Sequence, residues 1–325
     1  MKAIVITKYG TPDVLEFKET DKPIPKGDEV LIKVYAASIN DWDLGLIQGD
    51  LINRLINGIF KPKIKIPGSD IAGHIVAVGK NVKKFQPGNE VYGDLSGRWG
   101  GFAEYVCARE SSLALKPAGM SFEEAAAIPQ AAMLAFQGLR DTGHIQSGQK
   151  ILLNGAGGGV GTFAVQIAKI YGVEVTGVDS SGKLDMMLSL GFDHVIDYKK
   201  ENFTKNGRLY DLILDVKTNR SIIESTRVLN RYGIYVIVGG PLIRLLQALI
   251  IGPFISMICK KKIRFVALKS NKDLEYMNGL FETGKVKPVI GSVYRLDEIP
   301  EALRFFSEGN HKGKVVIKME DNHNL

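Results

Sequence analysis

Apolar positions change their spacing near residue 120, and the change divides the chain. Up to about residue 120, short apolar runs recur at Val30–Val34, Ile75–Val78, Glu90–Tyr92 and Phe102–Val106. Turn-forming pairs punctuate them, Lys26-Gly27, Pro67-Gly68, Pro87-Gly88 and Gly100-Gly101, which predicts short strands joined by turns. At Ser121-Phe122-Glu123-Glu124 a serine precedes a glutamate by three positions, a capping box, and an alanine-rich apolar segment follows. From there the two periods alternate. Strands are predicted at Ile151–Leu153, Val173–Val178, His194–Ile196, Leu212–Val216 and Ile234–Val238, with helices at Val160–Tyr171, Lys183–Leu190 and Ser221–Leu229. Alternation of this kind predicts an α/β domain with a doubly wound parallel sheet and helices on both faces. Past about residue 285 the pattern is mixed again and ends in a strand at Lys314–Ile317.

Leu242–Cys259 follows neither period. It is apolar over 18 residues, interrupted by Arg244, Gln247 and the helix-breaking pair Gly252-Pro253, which makes it marginal as a membrane span. A helical lid, a subunit contact or a pocket wall fits better, so no membrane span is expected. The adjacent Lys260–Lys262 leaves peripheral membrane contact open.

Length and composition narrow the class. A chain of 325 residues, 45% hydrophobic and 24% charged, is expected to fold as two globular domains. Its two cysteines, Cys107 and Cys259, are too few for a disulfide framework or a four-cysteine zinc lobe. The opening Met-Lys-Ala-Ile-Val-Ile-Thr alternates like a strand and lacks the apolar core of a signal peptide, so a cytoplasmic location is expected. The net charge of +7 raises nucleic-acid binding, but the lysine clusters at Lys61–Lys65 and Lys260–Lys262 carry no interleaved aromatics. No nucleic-acid partner is expected, and a mild positive field suits an anionic cofactor.

The chemistry begins at Ile151-Leu-Leu-Asn-Gly155-Ala-Gly157-Gly158-Gly159-Val160-Gly161, a short apolar strand running through glycines into a helix. Glycines make the tight turn, let phosphates approach the backbone and let helix and strand pack closely, while the helix N-terminus offers unpaired amides. The next predicted strand ends at Asp179, 18 residues beyond Gly161, near the spacing of a group that binds an adenosine ribose. A carboxylate there accepts hydrogen bonds from the 2′-OH of NAD and repels a 2′-phosphate unless cations offset it. Ser180, Ser181 and Lys183 follow at once, so the choice between NAD(H) and NADP(H) stays open.

Seven ordered motifs then carry a resemblance over residues 1–319. They are Ala37-Ser-Ile-Asn40-Asp-Trp-Asp43, Pro67-Gly-Ser-Asp70-Ile-Ala-Gly73, Val91-Tyr-Gly-Asp94, Gly101-Phe-Ala-Glu-Tyr105, Ala156-Gly-Gly-Gly-Val-Gly161, His194-Val-Ile-Asp-Tyr198 and Gly313-Lys-Val-Val-Ile317. The chain resembles the medium-chain dehydrogenase/reductase superfamily, in its zinc-independent quinone oxidoreductase branch and the group around the reticulon-interacting oxidoreductases. The resemblance implies a Rossmann sheet inserted in a GroES-like β-rich domain built from both chain ends. The expected parts are 1–120 and 271–325 for the GroES-like domain and 121–270 for the Rossmann domain, with the active site in the cleft between them. Relatives commonly dimerise through the Rossmann sheet edge, which leaves a homodimer open.

The resemblance also locates zinc positions, and this chain fills them with Asn40, Ser69 and Gln130. Zinc sites want thiolate, imidazole or carboxylate, so no zinc is expected. Without that Lewis acid, the reaction implied is hydride transfer from NAD(P)H to a quinone or an α,β-unsaturated carbonyl. Asn40 is the catalytic candidate, for orienting the substrate carbonyl or the cofactor near the nicotinamide. The tyrosine that some quinone reductases carry beyond this motif is replaced near Gly45, which points to proton supply from solvent. Asp43, Asp70 and His74 read as structural, and Trp42, Trp99 and Tyr92 as pocket or core aromatics. Cofactor contacts carried over by motif are Gly158, Gly159, Val160 and Gly161 for the pyrophosphate, and Asp179, Ser180 and Lys183 for the ribose. Tyr198 would lie by the adenine, Leu134, Val238 and Gly239 near the nicotinamide, and Lys314 against phosphate. Two alternatives remain: an alcohol or aldehyde oxidoreductase, and a cofactor-binding interaction protein with little turnover.

Overall fold

A computed structural model describes residues 1–320. Its strands, in chain order, are β1 Lys2–Ile6, β2 Leu15–Glu19, β3 Glu29–Ser38, β4 Asp70–Val78, β5 Glu90–Asp94, β6 Tyr105–Arg109 and β7 Ala114–Leu115. They continue with β8 Lys150–Asn154, β9 Glu174–Asp179, β10 His194–Asp197, β11 Tyr210–Asp215, β12 Leu229–Ile237, β13 Lys262–Phe265, β14 Ile290–Arg295 and β15 Lys314–Lys318. The chain divides into two compact units. The first comprises Met1–Gln130, Ser270–Glu282 and the chain from Pro288 on, and the second Ala131–Lys269 with Thr283–Lys287.

The first unit is built on a seven-stranded sheet in the order β14-β15-β3-β4-β5-β7, with β6 also paired to β3. Its core gathers apolar residues from both ends of the chain, among them Ile4, Ile32, Ile71, Phe102, Leu303 and Ile317. Register matters here. Ser38, the last residue of β3, faces Asp70, the first of β4, and also Val316 in β15. Two strand ends and the middle of β15, from distant parts of the sequence, therefore meet at one point.

Helix Phe122–Ala127 has the predicted capping box, with Glu124 N–H donating to Ser121 Oγ at 3.1 Å and Ser121 N–H to Glu124 Oε2 at 2.9 Å. Its fully buried Ala125–Ala127 pack on β3, β4 and β15, so this helix belongs to the first unit. The division falls at Gln130 rather than at the expected residue 120, because apolar alanines follow the sheet they cover and not the change in sequence period. The expected strand Phe102–Val106 lies three residues later, at β6, because Phe102 bonds across to Pro67 instead (Phe102 N–H to Pro67 O, 2.9 Å).

The second unit holds six strands in the order β10-β9-β8-β11-β12-β13, all parallel. Chain direction across the sheet reverses between β8 and β11, the switch point outside which open α/β sheets bind ligands. Ile151, Leu152 and Leu153 of β8 are at most 1% exposed, as a strand covered on both faces requires. Leu242–Cys259 forms one helix that runs through Pro253. The expected break at Gly252-Pro253 does not occur; a proline removes one helical hydrogen bond, and the helix continues past that loss. Ala248 joins the core of this unit, and a β-carbon on Gly252 would touch Ile263 of β13 at 3.5 Å.

Candidate functional site

In the second unit the glycine turn leaves β8 at Asn154. Gly155 adopts φ +85°, where side chains are rarely tolerated, and the amides of Gly155 and Ala156 both donate to Val178 O at 3.0 and 3.1 Å. The turn is thereby fastened to the end of β9, and helix Gly159–Ile170 starts from it. The amides of Gly159, Val160 and Gly161 form its first turn, where no preceding residue supplies an acceptor, and Gly158, Gly159 and Val160 are half-buried. A β-carbon on Gly161 would stand 2.3 Å from Ala156 O, so only glycine lets the helix sit this close to its own turn. Amides at the start of a 12-residue helix, beside a backbone stripped of side chains, fit a pyrophosphate.

Asp179 is brought to the turn and is already engaged. Its Oδ2 accepts from Gly157 N–H at 2.8 Å, its Oδ1 accepts from Ser180 N–H at 2.8 Å, and Lys183 Nζ lies 3.1 Å from Oδ1. Both side chains are buried, 8% and 4% exposed. The carboxylate thus braces the turn, and Lys183 neutralises it. Tyr198, exposed, follows β10 with its amide on Asp179 O at 3.1 Å. Val238 and Gly239 follow β12; Val238 N–H donates to Asp215 O at 2.9 Å, and Gly239 O accepts from Thr218 Oγ1 at 2.5 Å. All of these lie at the carboxyl end of the sheet. Leu134 is half-buried on helix Pro129–Gln137, with no bond tying it to the turn. A depression of about 590 Å³ lined by Lys150, Glu174, Tyr210 and Asn230 sits at the opposite, amino end.

Sequence reasoning missed Asp215. Buried at the end of β11, it accepts from Asn154 Nδ2 (2.8 Å), Lys217 N–H (3.0 Å) and Thr218 N–H (2.6 Å) through Oδ1, and from Tyr235 Oη (2.5 Å) through Oδ2. It ties the ends of β8, β11 and β12 together at the switch point. Burial raises its pKa. The available signal was a single acid closing the apolar run Leu212-Ile-Leu-Asp215.

In the first unit the meeting strands hold a buried polar cluster. Asn40 Nδ2 donates to Ser69 Oγ at 3.1 Å and to Asp70 Oδ2 at 2.9 Å, while Asn40 Oδ1 accepts from Lys314 Nζ at 2.5 Å. The lysine neighbour fixes which way the amide faces, since an ammonium only donates. Asp43 Oδ2 accepts from Asn40 N–H at 3.0 Å and from Ser69 Oγ at 3.1 Å, and Lys314 also reaches Ile39 O at 3.1 Å and Asp70 at 3.6 Å. Burial pushes the carboxyl groups of Asp43 and Asp70 up to about 7, Asp43 helped by the charge on Asp70 and Asp70 restrained by Lys314. Burial lowers the Lys314 ammonium in turn.

Two expectations need correcting. Lys314 is 3% exposed and occupied by Asn40, Ile39 and Asp70, so it does not meet a phosphate. Asn40 is 6% exposed with both amide protons engaged, so it positions the cluster and does not present a donor to a substrate carbonyl. Asp43 and Asp70, read as separate turn and strand-end carboxylates, are central to the same network.

At the zinc positions, Asn40 and Ser69 bond each other, and Gln130 donates through its backbone to Asp70 Oδ2 at 3.3 Å and through Nε2 to Ser96 Oγ at 3.2 Å. An amide, a hydroxyl and a second amide, each already partnered, do not make a zinc donor set. His74 pairs with Glu90 at 2.9 Å and packs edge-on to Tyr35 and Phe122. Tyr92 is core, its hydroxyl donating to Asn278 Oδ1 at 2.6 Å, and Trp99 is buried, whereas Trp42 is partly exposed.

Comparison with known proteins matches this geometry. Residues 26–118 match the alcohol dehydrogenase GroES-like domain, and residues 190–317 match a family described as zinc-binding dehydrogenase. Among curated proteins, 2-methylene-furan-3-one reductase of Solanum lycopersicum is 36% identical, the match covering 98% of this chain and 79% of that protein. The NADPH-dependent alkenal/one oxidoreductase of Arabidopsis thaliana chloroplasts is 33% identical with the same two coverages, 98% and 79%. The quinone oxidoreductase of Coxiella burnetii superposes with a TM-score of 0.87 at 26% identity, covering 98% of this chain and 99% of that one.

Proposed function

The chain belongs to the medium-chain dehydrogenase/reductase superfamily, in its quinone oxidoreductase-like branch, and from that premise we propose an NAD(P)H-dependent reductase of quinones or α,β-unsaturated carbonyls. The observation that carries the reading is the glycine turn Asn154–Gly161, fastened to β9 and set at the switch point of a parallel sheet. A bound nicotinamide dinucleotide would supply the hydride. Gly159, Val160 and Gly161 hold its pyrophosphate through backbone amides. Asp179, Ser180, Lys183 and Tyr198 surround the adenosine end, and Val238 and Gly239 line the exit of β12.

We further propose that the reaction runs without zinc, which the partnered Asn40, Ser69 and Gln130 support. An enone or quinone suits such a site, because conjugation delocalises the charge that hydride addition creates. With Asn40 engaged, water protonates the reduced product. The test is loss of reduced-nicotinamide absorbance with phenanthrenequinone and with an open-chain enone. Clear turnover is expected with both. Tight cofactor binding without turnover on a panel of quinones and enones would sink the proposal in favour of an interaction protein, and stoichiometric zinc in the purified protein would overturn the metal-free part.

Nucleotide preference turns on Asp179. Its carboxylate sits where a 2′-phosphate would add negative charge, and it occupies the Lys183 ammonium. Asp179→Ser frees that ammonium. The ratio of NADPH to NADH affinity is expected to rise about tenfold, as for one released charge-assisted contact. Fluorescence titration of both cofactors measures it, and an unchanged ratio would mean that Asp179 only braces the turn.

A further inference from the structure

Among the described residues, 14 of the 29 large apolar side chains that remain exposed fall in two segments, 51–60 and 242–258. The first is inside out. Helix Leu51–Asn57 buries Asn53 and Asn57, 2% and 3% exposed, while Leu55 and Ile56 stand 69% and 68% exposed. Water favours the reverse. Local bonds hold the asparagines inward: Asn53 donates to Asp50 from its backbone at 2.8 Å and its amide at 3.0 Å, and Asn57 Oδ1 accepts from Ile64 N–H at 2.9 Å. Ile59 and Phe60 continue the exposed apolar run.

The second segment is helix Leu242–Cys259, of which only Ala248 and Gly252 are buried. Those two residues, with the partly buried Leu245 and Ile255, hold it along the sheet of its unit. Ile243, Ile250, Phe254, Met257 and Ile258 all lie between 59% and 74% exposed.

Charge completes the pattern. Each segment runs directly into lysines: Lys61, Lys63 and Lys65 after the first, all exposed, and Lys260 to Lys262 after the second, with Lys260 and Lys262 exposed. The stretches 51–65 and 242–262 together contain eight lysines and arginines and no acid, against a net charge of +7 for the whole chain. The remaining sequence is close to neutral. The excess positive charge thus falls in the two segments where exposed apolar side chains are most concentrated.

We propose that helix Leu242–Cys259 with the lysines that follow it docks on an anionic lipid bilayer, apolar side chains entering the headgroup boundary and lysines meeting lipid phosphates, and that segment 51–65 is a second patch of the same kind on its own unit. A second copy of the chain is the rival cover. A two-fold contact through either segment would cover the apolar side chains but leave its lysines, which have no acid beside them in the segment, without a counter-charge that an anionic surface supplies. The inference is independent of the reductase reading.

Co-sedimentation of the full chain with phosphatidylcholine vesicles, with and without phosphatidylglycerol, tests it. Binding is expected only with phosphatidylglycerol and is expected to weaken as salt screens it. Lys260→Glu with Lys262→Glu, and separately Ile250→Glu with Met257→Glu, are each expected to weaken binding on the order of tenfold or more. The same is expected of Leu55→Glu with Phe60→Glu, and unchanged thermal melting identifies variants that still fold. Absence of wild-type binding, or equal binding to vesicles lacking phosphatidylglycerol, would overturn the proposal. So would a dimer in sedimentation velocity that Ile250→Glu with Met257→Glu splits, with no vesicle binding by the wild type.

Discussion

Lys314→Met is expected to destabilise the protein by about 3–5 kcal/mol at neutral pH, as removal of one partner from a buried ionic cluster does. For a chain of this size that is a fall of roughly 10 °C in melting temperature. The cause is local. Lys314 is the cation facing Asp70 and Asn40 in a site where Asp43 and Asp70 are fully buried. Without it a carboxylate must either ionise in a dry environment or stay protonated. The pH dependence follows from the raised carboxyls. Their folded pKa values lie at about 7, above the ordinary 3.8, so between those limits the folded state binds more protons than the unfolded one. Stability from the protonated acids is present at low pH and lost as pH rises through about 7. The penalty of Lys314→Met is therefore expected to be small at pH 5 and large at pH 8. Adding Asp70→Asn to Lys314→Met is expected to restore much of the loss. Urea denaturation at both pH values measures this, and a double variant no more stable than Lys314→Met would rule out the ionic account.

Lys314 also shows where sequence reading stops. The glycine turn, the alternation of strands and helices and the capping box at Ser121 are local, since each is fixed by residues within a few positions of one another. The turn was legible because phosphate approach and helix–turn packing both demand glycine at fixed offsets. The Asn40, Asp70 and Lys314 cluster is set by strand register, Ser38 facing Asp70 on one side and Val316 on the other, and register between residues 38 and 316 leaves no local trace. A lysine in a C-terminal strand reads equally well as a phosphate ligand until the sheet shows that it is buried. Asn40 stands out in the sequence by its motif, but its partners decide what it does. The inverted helix Leu51–Asn57 was hidden for another reason. Its apolar spacing is ordinary, and only burial shows that the apolar side faces outward.

Gly161→Ala is expected to weaken NAD(P)H binding by about 10- to 100-fold, the effect of losing one amide hydrogen bond to a charged phosphate. One methyl group is enough because of where it would stand. It would lie 2.3 Å from Ala156 O and 2.5 Å from Ala156 C and Cα, backbone atoms that no side-chain rotation can move aside. The first turn of helix Gly159–Ile170 must therefore shift away from Ala156. Ala156 cannot follow freely, because its amide and that of Gly155 are bonded to Val178 O at the end of β9. The shift falls on the amides of Gly159, Val160 and Gly161, the groups that hold the pyrophosphate. The sheet itself is untouched, so the variant is expected to keep its circular dichroism and most of its melting temperature while losing cofactor affinity. Gly182→Ala is the control. It lies between Asp179 and Lys183, at ordinary φ, and a β-carbon there meets nothing within 4 Å. Its affinity is expected to stay within about twofold of wild type, since surface changes of this kind cost little. Fluorescence titration of NADPH and NADH against all three proteins decides the matter. Wild-type affinity in Gly161→Ala would mean that the phosphates bind elsewhere, and equal losses in both variants would mean that the adenosine side, not the helix N-terminus, dominates binding.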